Sequence, residues 1–200
     1  SCGFERFLLI VRKTQNSIAV WEERYGLSKA LVWLMIVIYA GVFFSLQVIR
    51  HRGFFPSMDL NGIIQLVYNA MQGRIWETQV SNYELGTYLQ YHLQPIYLLF
   101  VPLYYVLRSN LLFYFIQTAV VALGALALYW IASEKLRNKG YGVLFALVYL
   151  MYPSVHNCTM YGFHFEELTI GIAPFAFYAL IRKKRMIFLL LCVMMMMIKE

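Results

Sequence analysis

Long apolar runs alternate with short polar segments along most of this chain, and the alternation predicts membrane-spanning helices. The first run, 30–49 (ALVWLMIVIYAGVFFSLQVI), has the roughly 20 residues needed to cross about 30 Å of hydrocarbon. Further apolar runs occupy 110–132, 141–155, 167–181 and 186–198. The pattern therefore predicts an all-α, polytopic transmembrane helical bundle with about five spans.

The polar segment 50–94 contains one stretch of helical periodicity, at 59–72. Apolar residues recur on one face of this stretch, namely Leu60, Ile63, Ile64, Val67 and Met71. Polar residues fill the other face, namely Asn61, Gln65, Asn69 and Gln72, and Gly73 suits the C-terminal stop. We therefore expect an amphipathic juxtamembrane helix lying on the membrane surface in the first outer loop.

A short apolar stretch, 95–107 (PIYLLFVPLYYVL), does not have the length of a span and contains an internal proline, Pro102. If it crossed the membrane, the basic segments 133–140 and 182–185 would lie outside the cell, against the positive-inside rule. We therefore predict a re-entrant or juxtamembrane helix here. The run 141–155 is followed by the polar loop PSVHNCTMYGFHFEE.

Composition excludes a soluble domain, because 61% of the residues are hydrophobic and only 14% are charged, against about 25% charged in soluble domains. The net charge of +7 does not indicate nucleic-acid binding, since the basic residues sit in short clusters between apolar runs rather than along one soluble face. Membrane lipid is instead the expected partner.

Charge bias also predicts the orientation. With 95–107 not crossing, most basic residues fall on one side, which makes the N-terminus cytoplasmic in a multi-pass protein of the cell membrane. The chain then divides into a cytoplasmic or interfacial segment, 1–29, and a transmembrane domain, 30–200. Because the sequence begins without Met and stops at a charged pair after an apolar run, we expect it to be part of a longer protein.

This orientation gathers acidic and histidine residues on the outer face. Asp59 begins the predicted amphipathic helix, where the helix dipole favours a carboxylate that takes a proton or holds a divalent cation. The structural alternative is an N-terminal capping role. His92 and Gln94 precede Pro95 and offer donors to a phosphate or a sugar hydroxyl, the alternative being a histidine of a wet loop.

A second acidic group follows in FHFEE, where His164 and Glu167 are three residues apart and share a helix face beside Glu166. Such a pair tunes a histidine for proton transfer or supplies metal ligands, whereas the structural alternative is a first-turn glutamate that complements the helix dipole. Lys199 and Glu200 follow a long apolar run, and because charges within a membrane are costly, their presence indicates a functional role. Phosphate-loop, CxxC, GxSxG and HExxH motifs are absent.

The order of these motifs resembles a known family. One span is followed by MDLNGIIQLVYNAMQG, then HLQPIYLLFVPLYYVL, a span ending in a basic turn, YLMYPSV, FHFEE and a closing KE. Over residues 30–200 this is similar to the predicted membrane protein family of unknown function 2079, which is related to the GT-C glycosyltransferases. The resemblance implies a GT-C-like bundle that uses a polyprenyl-phosphate sugar at the outer face. Asp59 matches the acidic residue of the first outer loop that serves as catalytic base or metal ligand.

We therefore expect a membrane glycosyltransferase that transfers a sugar from a polyprenyl-phosphate donor to an acceptor on the extracytoplasmic face. Asp59 is the expected catalytic residue. The expected substrate-binding residues are His92, Gln94, His164, Glu166, Glu167, Lys199 and Glu200. A divalent cation, Mg²⁺ or Mn²⁺, is the cofactor that the resemblance implies, with Asp59, His164 and Glu167 as candidate ligands. The alternatives are a membrane transporter or lipid flippase, or a non-catalytic membrane scaffold.

Overall fold

A computed structural model of the chain describes residues 26–53, 58–80, 84–90 and 92–199. Most of the predicted segment 1–29 and the terminal Glu200 lie outside these ranges. Eight α-helices in the described part are numbered α1 to α8: Leu27–Arg52, Met58–Met71, Phe100–Leu107, Leu111–Lys135, Lys139–Leu150, Pro153–Tyr161, Leu168–Ile181 and Arg185–Met196. Two strands, β1 (Glu77–Val80) and β2 (Glu84–Thr87), and three short 3-10 turns, Tyr88–Gln90, Pro95–Leu99 and Phe165–Glu167, complete the described elements.

Two of the described helices, α1 and α4, are long and apolar enough to cross a membrane, with 26 and 25 residues. A third candidate span arises if α5 and α6, which meet at an angle of 46°, count as one broken helix. The α7 and α8 helices are shorter, with 14 and 12 residues. The chain is thus a helical membrane protein, and the larger number of spans expected from the apolar runs stays a prediction.

Helix α4 is the centre of the bundle and packs against α1, α5 and α7. It can do so because it carries small residues where its neighbours approach most closely. Gly124 lies against the Tyr149 side chain of α5 and the Gly171 backbone of α7. A Cβ atom on Gly171 would collide with the carbonyl group of Val120 in α4. Backbones held this close gain the dispersion contacts on which helix packing in lipid depends.

The break between α5 and α6 corrects the sequence prediction of an irregular loop starting at Pro153. Tyr152 is extended (φ −71°, ψ 123°), as expected for a residue before proline, and Pro153 begins a new helix instead of a loop. The His156 Nε2 atom lies 2.5 Å from the carbonyl oxygen of Leu150, so one of the last carbonyl groups of α5 has a partner at the bend.

The segment between α1 and α4 is not wholly helical. Strands β1 and β2 form an antiparallel pair with Glu77 opposite Thr87, a correction to the sequence analysis, which predicted no strand within an otherwise helical fold. The ladder satisfies the backbone of a stretch that lacks an apolar helical face. Asn69 is a second correction, because the sequence placed it on the exposed polar face of α2. It is buried and donates from Nδ2 to the Glu77 carbonyl oxygen at 2.9 Å, which holds the hairpin against the helix.

The apolar face of α2 packs on the protein rather than on a membrane surface. Leu60, Leu66 and Val67 are fully buried in a cluster with aromatic side chains from the rest of the bundle, including Tyr97, Phe100, Phe113, Phe163 and Phe165. Phe100 stacks on Phe113 with ring centroids 5.4 Å apart. This aromatic cluster fixes the start of α2 beside the turn 165–167, and the two elements carry the candidate site.

Candidate functional site

Asp59 and His164, 105 positions apart in sequence, meet at the surface of the bundle. The His164 Nε2 atom lies 2.9 Å from the Asp59 Oδ2 atom. Asp59 is in the first turn of α2, and its side chain is 65% exposed, whereas the His164 side chain is only 21% exposed. The pair therefore presents a solvent-accessible carboxylate that is held by a largely buried imidazole, an arrangement suited to proton transfer.

The second ring nitrogen of His164 faces inward toward Glu167. The distance from Nδ1 to Glu167 Oε1 is 3.9 Å, which is beyond hydrogen-bonding range. Nδ1 is buried and has no hydrogen-bond partner among the described residues. The imidazole thus lies between an exposed carboxyl group and a buried one, with a different ring nitrogen directed at each.

Glu167 is buried, with its side chain 9% exposed. Burial, the larger cause, and the negative charge of neighbouring Glu166 together raise the pKa of its carboxyl group to about 9. Gln117 donates a hydrogen bond from Nε2 to the Oε2 atom of Glu167. At neutral pH this carboxyl group is therefore protonated, and a neutral proton donor lies on the inner side of His164.

Glu166 points the other way and behaves differently. Burial alone would raise its pKa, but the hydrogen bond and the positive charge of Lys199 outweigh that effect, and the pKa lies below its usual value. The Lys199 Nζ atom is 2.9 Å from Glu166 Oε1, and Gln94 donates from Nε2 to the same oxygen at 3.2 Å. Glu166 is therefore an ionised carboxylate that holds a lysine ammonium at the edge of the site.

Gln94 and His92 reach this edge from the segment before α3. Gln94 is 2% exposed and accepts a 2.6 Å hydrogen bond on Oε1 from the Tyr88 hydroxyl. The His92 ring lies edge-on to the Tyr88 ring, with centroids 6.2 Å apart. His92 is thus linked to the Glu166–Lys199 pair through Tyr88 and Gln94. The backbone N–H of Ile96 donates to the Met197 carbonyl oxygen at 3.0 Å, which holds Lys199 beside this segment.

Two buried glutamines that the sequence reasoning missed hold the loop 162–167 and the end of helix α6 that precedes it. The Gln117 amide, fully buried in α4, donates to the Gly162 carbonyl oxygen at 2.8 Å and accepts from the His164 backbone N–H at 3.3 Å. Gln47 of α1 donates to the Thr159 carbonyl oxygen in α6 and accepts from the Thr118 hydroxyl at 2.8 Å. An amide isolated in an apolar run was the available signal, because buried amides in membrane helices pair with specific partners.

The candidate metal ligands do not converge on one point. Asp59 and Glu167 lie at opposite ring nitrogens of His164, so one ion cannot be bound by all three through a shared nitrogen. Across residues 26–53, 58–80, 84–90 and 92–199, no group of three histidine, cysteine or acidic side chains is arranged to hold a metal ion. The residue set fits proton transfer better than it fits Mg²⁺ or Mn²⁺. Glu200, which the sequence analysis proposed for substrate binding, lies outside the described residues.

Comparison with known proteins gives one match. A family model described as Predicted membrane protein (DUF2079) matches residues 55–200, which include every candidate site residue. No curated protein and no solved structure matches the chain.

Proposed function

The chain belongs to the membrane protein family DUF2079, and from this premise we propose that it transfers a sugar from a polyprenyl-phosphate donor to an acceptor hydroxyl on the extracytoplasmic face. The observation that carries the proposal is the contact between Asp59 and His164. Sugar transfer from a lipid-linked donor needs a catalytic base at the membrane surface of the protein. The acceptor and solvent must both be able to reach this base. Asp59 has that exposure, and the buried imidazole holds its carboxylate in one orientation.

In the proposed reaction, Asp59 removes the proton from the acceptor hydroxyl while the oxygen attacks the anomeric carbon of the sugar. The bond from that carbon to the phosphate oxygen breaks, and the polyprenyl phosphate leaves with the electron pair. Asp59 holds the acceptor proton until transfer is complete and then releases it to solvent. His164 holds Asp59 Oδ2 by a hydrogen bond, and in the proposed reaction Oδ1 takes the acceptor proton.

The leaving phosphate carries negative charge that must be stabilised. Lys199 supplies an ammonium group at the edge of the site, and His92 is the further candidate to bind the donor phosphate. Glu166 orients Lys199 and is itself held by Gln94, since Lys199 Nζ and Gln94 Nε2 both contact Glu166 Oε1. Glu167 supports the inner side of His164 without adding charge, because its raised pKa keeps the carboxyl group neutral. A divalent cation is not needed for any of these steps.

The proposal is tested by Asp59→Asn in the complete protein, assayed for transfer from radiolabelled polyprenyl-phosphate sugars. The amide keeps the hydrogen-bonding shape but cannot accept the acceptor proton, so we expect transfer to fall by at least about 100-fold. Glu77→Gln is the matched control, since Glu77 is an exposed carboxylate that pairs with Arg74 at 3.8 Å rather than with His164. Full activity of the Asp59→Asn protein would contradict the proposal.

A proton-coupled transporter or flippase is the second candidate, and the buried, protonated Glu167 behind His164 favours it. A carrier of this kind would move substrate across proteoliposomes with proton uptake and without forming a new glycosidic bond. Lipid-linked substrate crossing the bilayer unchanged, together with loss of that movement in Glu167→Gln, would favour the transporter over the glycosyltransferase.

A further inference from the structure

Four polar groups form a chain of contacts from the interior of the bundle to its surface. The chain runs from the Gln117 amide in α4 through the Glu167 carboxyl group and the His164 imidazole to the exposed Asp59 carboxylate. Glu167 Oε1 and His164 Nδ1 are 3.9 Å apart, and the other two contacts are hydrogen bonds. Because every hydrogen bond has a donor and an acceptor, a group whose role is fixed at one end decides the direction of the whole chain.

Backbone groups fix the orientation of the Gln117 amide at the inner end. The His164 N–H can only donate, so the Gln117 atom 3.3 Å from it is the carbonyl oxygen, Oε1. The amide nitrogen, Nε2, is then directed at the Gly162 carbonyl oxygen, 2.8 Å away, and at Glu167 Oε2. The Gly162 carbonyl, and the Thr159 carbonyl at 3.5 Å, can only accept, which requires the same orientation. Glu167 therefore receives a hydrogen bond on Oε2 from Gln117.

Glu167 continues the chain with its acid proton on the oxygen that faces His164. Its carboxyl group is buried, and the Lys199 ammonium contacts Glu166 instead, so the neutral form is favoured. The raised pKa of Glu167 agrees with that form. Within a neutral carboxyl group the oxygen without the proton is the better acceptor, so Oε2 is that oxygen and Oε1 carries the proton. Oε1 is also the oxygen 3.9 Å from His164 Nδ1.

His164 completes the chain in one tautomer. Nδ1 is buried and has no hydrogen-bond partner within the described part of the chain, so a proton there would face the acid proton of Glu167 and stay unpaired. Without a proton, Nδ1 accepts from Glu167 Oε1 once the two groups approach by about 1 Å. The proton of the neutral ring is then on Nε2, which donates to Asp59 Oδ2 at 2.9 Å.

We propose that Gln117 is a positioning residue that places the protons of this chain on Glu167 Oε1 and His164 Nε2. Asp59 then receives a hydrogen bond and remains an unprotonated carboxylate, the form that a catalytic base requires. In the opposite direction Nε2 would lack a proton, and only a protonated Asp59 could donate to it. The proton placement does not depend on sugar transfer, whereas the benefit to Asp59 as a base rests on the proposed function.

Nitrogen NMR of the complete protein, prepared with isotope-labelled histidine and held in nanodiscs at neutral pH, measures the tautomer directly. The His164 resonances are those absent from the His164→Asn protein. We expect Nε2 to be protonated and Nδ1 to be unprotonated. A proton on Nδ1, in either the neutral or the charged ring, would overturn the proposal, and this holds whether or not the protein transfers sugar.

The contribution of Gln117 is isolated in an Asp59→Asn background. An amide at position 59 can donate or accept, so it no longer selects a proton on Nε2 by itself. We expect His164 to keep its proton on Nε2 in Asp59→Asn, and to become a mixture of both tautomers when Gln117→Met is added. A mixture in Asp59→Asn alone, or a single tautomer after Gln117→Met is added, would contradict the inference.

Gln47→Met is the matched control for Gln117→Met. Gln47 is also a buried amide that donates to the Thr159 carbonyl oxygen, but its further partner is the Thr118 hydroxyl. Added to Asp59→Asn, the Gln47→Met change should leave a single tautomer. An equal mixture from both glutamine variants would show that they act by loosening the bundle, and the role assigned to Gln117 would be wrong.

Infrared spectroscopy checks the inner link without any change at His164. A hydrogen bond to its carbonyl oxygen lowers the stretching frequency of a neutral carboxyl group. Because Gln117 donates to Glu167 Oε2, Gln117→Met should shift the Glu167 carboxyl band to higher frequency, and Gln47→Met should leave the band in place. An unshifted band in Gln117→Met would show that Oε2 does not accept from Gln117, and the proposed direction of the chain would fail.

Discussion

Glu166 and Glu167 show how neighbouring positions in one turn give the same residue type opposite charge states. The carboxyl group of Glu166 meets Lys199, which holds its pKa below the usual value despite burial. Glu167 turns into the bundle toward Gln117, where burial raises its pKa to about 9. One glutamate anchors a cation and the other stays neutral behind His164.

We expect Glu167 to give the infrared band of a protonated carboxyl group at neutral pH and to lose it as the pH rises through about 9. Since the folded pKa is raised above the ordinary value of 4.5, the contribution of this group to stability is fully present below about pH 4.5 and is lost as the pH rises toward 9. Infrared titration and thermal melting measure the two effects.

Substitution separates the two glutamates. Glu167→Gln should remove the neutral-pH band and flatten the dependence of melting temperature on pH above 4.5, whereas Glu166→Gln should keep the band. The Glu166 variant should also lower the pH at which Glu167 titrates, because it removes the adjacent negative charge. A band that disappears in Glu166→Gln but persists in Glu167→Gln would reverse the assignment.

The sequence was sufficient to propose Asp59, His164 and Glu167 for one site, because charged and imidazole groups beside apolar runs are conspicuous. Gln117 and Gln47 could not be found in this way. Each is a single amide within an apolar helix, and the partner of Gln117, Glu167, is 50 positions away. Which loop such an amide holds depends on helix packing, and hydrophobic periodicity does not encode the packing of one span on another.

At the scale of elements, a close contact between the α4 and α7 backbones gives a prediction about Gly171 in α7. Its added Cβ atom would collide with the Val120 carbonyl group in α4, so one of the two helix backbones must shift. We expect Gly171→Ala to lower the free energy of unfolding by about 1–3 kcal/mol through forced separation of the helices. Unfolding of the protein in a mild detergent, by stepwise addition of a denaturing detergent, measures this loss of stability.

Gly41 of α1 is the matched control, because a Cβ atom there would meet nothing within 4 Å. Gly41→Ala should leave stability unchanged or raise it by up to about 1 kcal/mol, since alanine favours a helix more than glycine does. Equal loss of stability in both alanine variants would show that the α4–α7 approach is not specifically tight.

Elements with regular periodicity were predictable, and elements built on local backbone contacts were not. The amphipathic helix was expected at 59–72 and occupies Met58–Met71. The strand pair β1–β2 and helix α6 were missed, because neither has a sustained apolar face. Both depend instead on side chains that hydrogen-bond to backbone carbonyl groups. The Asn69 amide does so for strand β1, and the His156 imidazole does so at the α5–α6 bend.

For the whole molecule, the governing feature is the separation of charge between two ends of the bundle. The acidic and histidine side chains of the candidate site gather near the start of α4, whereas exposed cations of the α4–α5 and α7–α8 turns, among them Arg137 and Arg182, lie near its C-terminal end. The positive-inside rule then predicts that these two turns face the cytoplasm and the Asp59–His164 pair faces outward. The orientation decides whether the site meets extracytoplasmic lipid-linked sugars, so it is the prediction on which the proposed function rests.

Cysteine labelling of intact cells tests this orientation. After replacement of Cys2, Cys158 and Cys192 by serine, an impermeant maleimide added outside should modify Tyr161→Cys and leave Lys183→Cys unmodified until the cells are opened. Both positions are exposed, and Tyr161 is three residues from His164 without contributing to its polar contacts, so the two variants differ mainly in the side on which they lie. Modification at 183 but not at 161 would place Asp59 on the cytoplasmic side. The donor and the acceptor would then have to be cytoplasmic, and extracytoplasmic sugar transfer would be excluded.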